Sequence, residues 1–433
     1  MSVDVLVGLQ RGDEGKGRFV DMLAADYDIV ARFNGGNNAG HTVVLPDERV
    51  LKLHLAPSGI THPDTVNIIG NGTLVNPVKL VEEIEDIESK DIEVTKDNLK
   101  LSSGSHLILP HHIYEDELRE ANPDRSQGST KTGIAPVAAF KAMRYGARTE
   151  EIRNNPEELF TIVYDALVAQ RLLREEAGLG TINDREVAKA YIEAAIKVGK
   201  YVTDTVFYLN QRLRGENPAR VLAEGAQAFL LDIDHGMYPF TTSTSTVSGG
   251  AVTGLGIPPQ KINKVMGVAK AVQSHVGGGP FVTEVLDPDL RAQLHGDKTT
   301  VDAEYGTTTG RKRRLGYLDL PQIRRSNMIN GTDEMIISKL DWVPRFGKQV
   351  LICVAYDRKG KTLDISPDSA RKLDQSTPTY ESLPTWNGSI QHVRQFGDLP
   401  GEAKAYIEFI ESQTEVPISM IGVGPNADQV IIR

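Results

Sequence analysis

Apolar residues along this chain come in short unbroken runs rather than in strict alternation. VDVLVGL (3–9), YDIVARF (27–33), TVNIIGNG (65–72), LKLSSGSHLIL (99–109), RVLAEGA (220–226), EMIISKLD (334–341) and VLICVAYD (350–357) predict strands buried on both faces. Between them the spacing turns helical. NPVKLVEEIEDIESK (76–90) opens on Asn76 in a cap position with Pro77 at the first helical residue. REVAKAYIEAAIKVGKYVTDTVFYLNQRL (185–213) reads as one long helical run, and another helix should begin near Lys16. Strands alternating with helices predict an α/β protein on a mostly parallel central sheet. The stretch 120–150 reads as loop and the chain then as helix-rich, so about 120–214 is expected to be a helical insertion within a single large domain spanning 1–433. In such folds the ligand loops gather at the carboxyl ends of the strands.

Charge and composition narrow the classes. A net charge of −10 over 433 residues argues against a nucleic-acid surface, which is usually basic. No apolar run approaches the roughly 20 residues that a membrane helix needs, so no membrane partner is expected. MSVDVLVGL carries no basic segment of a secretory leader. Cys353 is the only cysteine, which excludes a disulfide within the chain and predicts a cytoplasmic setting. Its place in VLICVAYD predicts a small core residue.

Four segments carry candidate chemistry. GLQRGDEGKGR (8–18) resembles a phosphate loop of the G-x-x-x-x-G-K-[ST] type, but with Gln10 for the first Gly and Gly17 for the Ser/Thr. It joins a strand to a helix, so backbone N–H groups at the helix start can cradle phosphate and Lys16 can reach its oxygens. Asp13 does not fit a plain phosphate loop. A carboxylate there is tolerable where a divalent cation neutralises it or where it accepts a proton in the reaction. SKLD (338–341) resembles the [NT]-K-x-D motif for guanine, whose N1–H and 2-amino group can both donate to one carboxylate. GTTTGRKRRLGYLD (306–319) sets hydroxyls beside Arg forks, a small-anion site in an otherwise acidic protein. GGNNAGHT (35–42) flanks His41 with residues that let backbone approach a ligand. HH at 111–112 has no Cys or carboxylate at ligand spacing and reads as non-metal.

GDEGKG, GGNNAGHT, IIGNG, EGAQ…LLDIDHGMYPF, TGLGIPP, GGGPFVTE, GTTTGRKRR, SKLD, ICVAYD and GVGP occur in the order found in the adenylosuccinate synthetase family, and this resemblance runs from Val3 to Arg433. It implies a GTP-dependent ligase joining IMP and L-aspartate into adenylosuccinate, GDP and phosphate, with Mg²⁺, in AMP biosynthesis. Loss of the N1 proton makes O6 of the base nucleophilic. O6 takes the γ-phosphoryl of GTP to give 6-phosphoryl-IMP, and the aspartate amine then displaces phosphate at C6.

By the same resemblance Asp13 would be the base at N1, His41 a donor to the moving phosphoryl group and Lys16 its counter-charge. Gly12, Glu14, Gly15, Lys16, Gly17, Arg18, Gly40, Thr42 and Arg313 would hold the GTP phosphates and metal, the metal ligands being Asp13 and the Gly40 carbonyl. Lys339, Asp341, Gly422, Val423 and Gly424 would hold guanine. Asn38, Ala39, Thr130, Gln227, Thr242 and Arg311, with Asp13, would hold IMP. Arg144 would reach the acceptor phosphate of a partner subunit in a homodimer. Val276, Thr307, Thr308, Thr309, Arg311 and Arg313 would hold L-aspartate.

The chain departs from the family pattern around the acceptor and aspartate loops. Arg11 stands where most relatives carry Trp, Thr132 replaces a basic residue, Ala135 a Gly and Ser245 an Asn, and His275 stands where an Arg is usual. One alternative keeps the chemistry on a guanylate acceptor, as in 2-aminoadenylosuccinate synthetases. Those tend to lack the acidic residue at the position of Asp13. A second alternative, a GTP-binding regulatory switch, would have no use for the Thr/Arg anion segment.

Overall fold

The computed structural model describes residues 2–45, 49–122, 126, 128–296, 304–305 and 312–433. Ten strands form the main sheet: β1 Val3–Gly8, β2 Ile29–Arg32, β3 Val66–Ile69, β4 Leu99–Ser102, β5 Val202–Thr203, β6 Val221–Glu224, β7 Ile262–Lys270, β8 Glu334–Ser338, β9 Ile418–Gly422 and β10 Val430–Ile432. Their order is β10-β9-β8-β7-β1-β6-β2-β3-β4-β5. Every pairing is parallel except β9 with β10 at one edge. β1 lies inside the sheet, with Val5 opposite Ala223 on one side and Val265 on the other. All six residues of β1 are buried, which is why its sequence shows no alternation. Each such aliphatic side chain contributes roughly 1.5–3 kcal/mol.

Helix starts follow local chemistry. The Asn76 side chain accepts from the N–H groups of Val78 and Lys79, and Pro77 opens the helix Pro77–Glu88. The helix Lys16–Ala24 starts directly after Gly15, which is left-handed at φ 83°.

Three expected elements differ. The run 185–213 is two helices, Asp184–Val198 and Thr205–Arg212, parted by a short turn and by β5. Val202 and Thr203 pair with the edge of β4, and Asp204 caps the second helix by accepting from the Phe207 N–H. The run 99–109 breaks after Ser102, and His106–Leu107 instead pairs with Leu74–Val75. Within 120–150, expected as loop, Ile134–Met143 is helical, with its Pro in the first turn where no N–H is missed. Helices dominate from there to Arg212. VLICVAYD falls in the strand Gln349–Arg358 of a separate four-stranded sheet, where Cys353 is fully buried. Among the described residues no helix is long and apolar enough to cross a membrane.

Candidate active site

Because β1, β2, β6, β7, β8 and β9 are parallel neighbours on one sheet, the segments that follow them emerge on the same edge. Those segments are 9–15, 33–40, 225–242, 271–280, 339–342 and 423–425. They wall a cleft of about 800 Å³. Asp13, Lys16, Asn38, Gly40, His41, Thr130, Gln227, Thr242, Val276, Arg313, Lys339 and Asp341 all line it, although the chain separates them by up to 328 positions.

The two carboxylates of the phosphate loop point to different tasks. Glu14 is turned inward and fully buried. Its Oε1 accepts from the Gly12 N–H at 2.8 Å and its Oε2 from Lys16 Nζ at 2.8 Å. That inward turn is why position 8 is glycine: a Cβ on Gly8 would lie 2.5 Å from Glu14 Oε2. Asp13 sits at φ 60° with its carboxylate partly exposed at the cleft, and Arg313 Nε lies 2.9 Å from its Oδ2. Gly17, the departure from a Walker loop, has a steric cause. A Cβ there would come within 2.6 Å of the His41 Cβ, leaving no room for Ser or Thr.

His41 is buried with its Nδ1 hydrogen-bonded to Glu224 Oε1. The same carboxylate accepts from the Ser58 N–H at 2.8 Å and the Ser58 hydroxyl at 2.7 Å. Burial pushes the Glu224 carboxyl up, but His41, Arg32 and Ser58 outweigh it and hold the group down at about 2. Burial also holds His41 below its ordinary 6.5, against the pull of Glu224. An ionised Glu224 therefore fixes the proton of a neutral ring on Nδ1. A phosphoryl group at the free Nε2 would favour the imidazolium, with an anion at each nitrogen.

At the far wall, SKLD ends β8, and Lys339 takes the left-handed conformation at φ 58°. Asp341 Oδ2 accepts from Gln391 Nε2 at 3.2 Å, and burial raises its pKa. Lys339 Nζ lies 4.1 Å from the centroid of the Trp342 ring. Arg18 donates to the carbonyls of Gly424 and Gln429, tying the phosphate loop's helix to the segment after β9.

Three charged residues that the sequence did not single out organise these groups. Glu224 is one. Glu304, fully buried, pairs with Arg313 NH1 at 2.9 Å and with Lys339 Nζ. Burial raises its carboxyl, but Lys339, Arg313 and Lys270 hold it well below the ordinary range. Lys270, at the end of β7, is wholly buried and donates to the Gly12 carbonyl at 2.9 Å and the Ser274 hydroxyl at 2.7 Å. Burial lowers its amine from 10.5 to about 8, against Glu304, Glu14 and Asp13.

Not every expected residue joins the cleft. Glu14, Gly12, Gly15, Gly17, Arg18, Ala39, Thr42 and Gly424 line it, but Gly422 and the buried Val423 do not. Arg144, left-handed at φ 67° after the helix Ile134–Met143, is exposed and does not line its own chain's cleft. Thr132 and Ser245 also lie outside the lining, whereas Arg11 and His275 are part of it. Thr307, Thr308, Thr309 and Arg311 lie outside the described residues. The buried His111 and His112 pack edge-on against Phe140, and among the described residues no His, Cys, Asp or Glu cluster of three could hold a metal.

The family model described as adenylosuccinate synthetase matches residues 5–431. An adenylosuccinate synthetase of Caldanaerobacter subterraneus subsp. tengcongensis is 40% identical, aligning over 100% of this chain and 99% of its own. That of Chlorobium chlorochromatii is 42% identical over 99% and 97%. The fully ligated adenylosuccinate synthetase from Plasmodium falciparum superposes with a TM-score of 0.90 at 35% identity, covering 100% of both chains. A cyanophage S-2L succinoaminodeoxyadenylate synthetase bound to dGMP and dATP reaches a TM-score of 0.61 at 19% identity, over 100% of this chain and 95% of that one. That is a likeness of fold.

Proposed function

The chain belongs to the adenylosuccinate synthetase family, and from that premise we propose how its cleft joins IMP to L-aspartate at the expense of GTP. The observation that carries the reading is the meeting of Asp13, Lys16 and His41 with Lys339 and Asp341 in one cleft. A proton acceptor, phosphate donors and a guanine-reading carboxylate then share a space large enough for two nucleotides.

In this reading GTP lies with its guanine at Asp341 and its phosphates over the start of the helix Lys16–Ala24. Asp13 accepts the N1 proton of the base, and O6 attacks the γ-phosphoryl in line with its bond to GDP. Positioning and charge neutralisation supply most of the rate, because phosphoryl transfer asks little covalent chemistry of the protein. Lys16 exchanges its contact with Glu14 for one with phosphate, and His41, oriented by Glu224, donates from Nε2. The aspartate amine then adds at C6, loses a proton and expels phosphate. Arg313 serves the aspartate carboxylate and the phosphate, beside Thr307, Thr308, Thr309 and Arg311. Asn38, Thr130, Gln227 and Thr242 hold the acceptor.

Magnesium fits this donor set. The Asp13 carboxylate and the Gly40 carbonyl are hard oxygens on the same cleft, and Mg²⁺ commonly takes one or two protein oxygens with phosphate and water completing its shell. When bound it neutralises charge on the transferring phosphate.

A second copy of the chain fits Arg144. The residue is exposed between Met143 and Tyr145, which are themselves 51% and 76% exposed. Such a surface suits a homodimer in which Arg144 enters the partner's cleft.

The test is phosphate release from GTP, Mg²⁺ and aspartate with IMP, dIMP, GMP or dGMP as acceptor. IMP should drive turnover, and product from the guanylates alone would overturn the reading. The guanylate alternative is not favoured, since likeness to the phage enzyme extends to fold alone. A regulatory switch would hydrolyse GTP without IMP or aspartate, so phosphate release that depends on both would exclude it.

A further inference from the structure

Arg11 is 95% buried, yet among the described residues it forms no ion pair. Its NH2 donates to the Pro280 carbonyl at 2.8 Å, and its guanidinium lies 4.8 Å from the centroid of Phe281. Arg314 approaches the same ring at 5.3 Å, donates to the Gly279 carbonyl at 2.8 Å and is anchored by Glu284. Two guanidiniums thus clamp the end of the glycine segment 276–279. Its beginning is held by Lys270, which bonds Ser274 and the Gly12 carbonyl, and by Gln10, which exchanges two hydrogen bonds with the Lys270 backbone. Arg11 is therefore a bond between the phosphate loop and the glycine segment.

His275 stands where the family usually has Arg, and it does not supply that charge. Burial, with Arg11 next in effect, drives its ring down to about 3, so it is neutral and its Nε2 donates to the Gly278 carbonyl at 3.1 Å. The Trp-to-Arg departure at 11 and the Arg-to-His departure at 275 thus both bond the one segment, at the Pro280 and Gly278 carbonyls.

We propose that these two departures are a single exchange: Arg11 carries the cation that position 275 has given up, and holds segment 276–279 in the shape that receives L-aspartate. Arg11 is then a positioning residue that acts through the loop, and this rests on the assignment of Val276 to aspartate. The Pro280 carbonyl accepts from a charged donor in a buried setting, and losing such a bond costs on the order of tenfold to a hundredfold in affinity.

Steady-state kinetics of four proteins test it: wild type, Arg11→Leu, Arg11→Trp and Arg11→Trp with His275→Arg. Wild-type turnover with IMP, GTP and aspartate comes first, and its absence would sink the proposed function rather than the exchange. Arg11→Leu and Arg11→Trp should raise the aspartate KM by about tenfold or more, leaving the KM values for GTP and IMP within about twofold. The paired variant should recover the aspartate KM to within about threefold of wild type. Equal rises in all three KM values, an unchanged aspartate KM, or a paired variant no better than Arg11→Trp would each overturn the proposal. Where Arg11→Leu does not fold, the comparison between Arg11→Trp and the paired variant decides.

Discussion

Glu224→Gln preserves shape and removes one charge. All three groups that face this carboxylate are donors, namely His41 Nδ1, the Ser58 N–H and the Ser58 hydroxyl. A glutamine must point its NH₂ at one of them. It also strips the fully buried Arg32 of a neighbouring negative charge. The descent of Glu224 from an ordinary 4.5 to about 2 corresponds to about 3 kcal/mol of native-state stabilisation. Breaking a buried charge pair from one side costs about 3–5 kcal/mol, in the same range. For a chain of this length that loss lowers Tm by about 3–5 °C. The catalytic loss should be larger in proportion. Without an ionised partner at Nδ1, His41 no longer favours the donor form at Nε2, and kcat should fall on the order of a hundredfold. Phosphate release at saturating substrates, alongside thermal unfolding, measures both. A kcat within threefold of wild type at a lowered Tm would refute the orienting role and leave Glu224 a structural residue. The pH dependence has a defined sign. Both His41 and Glu224 have folded pKa values below their unfolded ones, so each stabilises the fold above its unfolded value. Wild-type stability should fall as pH drops from 6.5, with the Glu224 share lost between 4.5 and about 2, and the variant should lack that last portion.

Asp13→Ala should abolish IMP- and aspartate-dependent phosphate release by at least about a hundredfold while Tm stays near wild type, because the side chain is partly exposed; near-normal turnover would remove Asp13 from the chemistry. Asp341→Asn should weaken GTP by about tenfold or more and leave the IMP KM within twofold, and equal GTP affinity in a titration would cancel the guanine assignment. Gly17→Ala should impair GTP binding by pushing against the His41 Cβ, which its new methyl would approach to 2.6 Å; a variant with unchanged GTP KM would show that the helix start yields without cost.

The strands that carry the site were legible because a parallel strand covered on both faces is written as an apolar run, as in β1. β7 and β9 were not: Asn263, Lys264 and Lys270 interrupt the pattern of β7, and in β9 Ser419 and the closing Gly422 leave only a short apolar run. Lys270 is the polar end of that strand because the phosphate loop and the segment after β7 need a shared donor there. The run 185–213 kept helical spacing through Val202 and Thr203, and only the open edge of β4 turns those residues into a strand. Glu224 opens the EGAQ segment but nothing local gives it a role, since its partner His41 lies 183 positions away, and Glu304 sits in no motif. A charge closing an otherwise apolar strand, as in VLAE, is a second signal that could have found Glu224. That Asp13, Lys16, His41 and Asp341 meet in one cleft follows from their places in turn-rich segments after buried strands, which the sequence shows locally.

Glu304 divides its two oxygens between Arg313, which also meets Asp13, and Lys339 beside Asp341, the residue proposed to read guanine. The end of the cleft proposed to recognise the base and the end proposed to accept the proton therefore share one buried carboxylate. An engineer who recast Lys339 and Asp341 for another nucleoside triphosphate would disturb Arg313 and Asp13 in the same stroke. In this scaffold, donor selectivity and acceptor chemistry are not independent design variables.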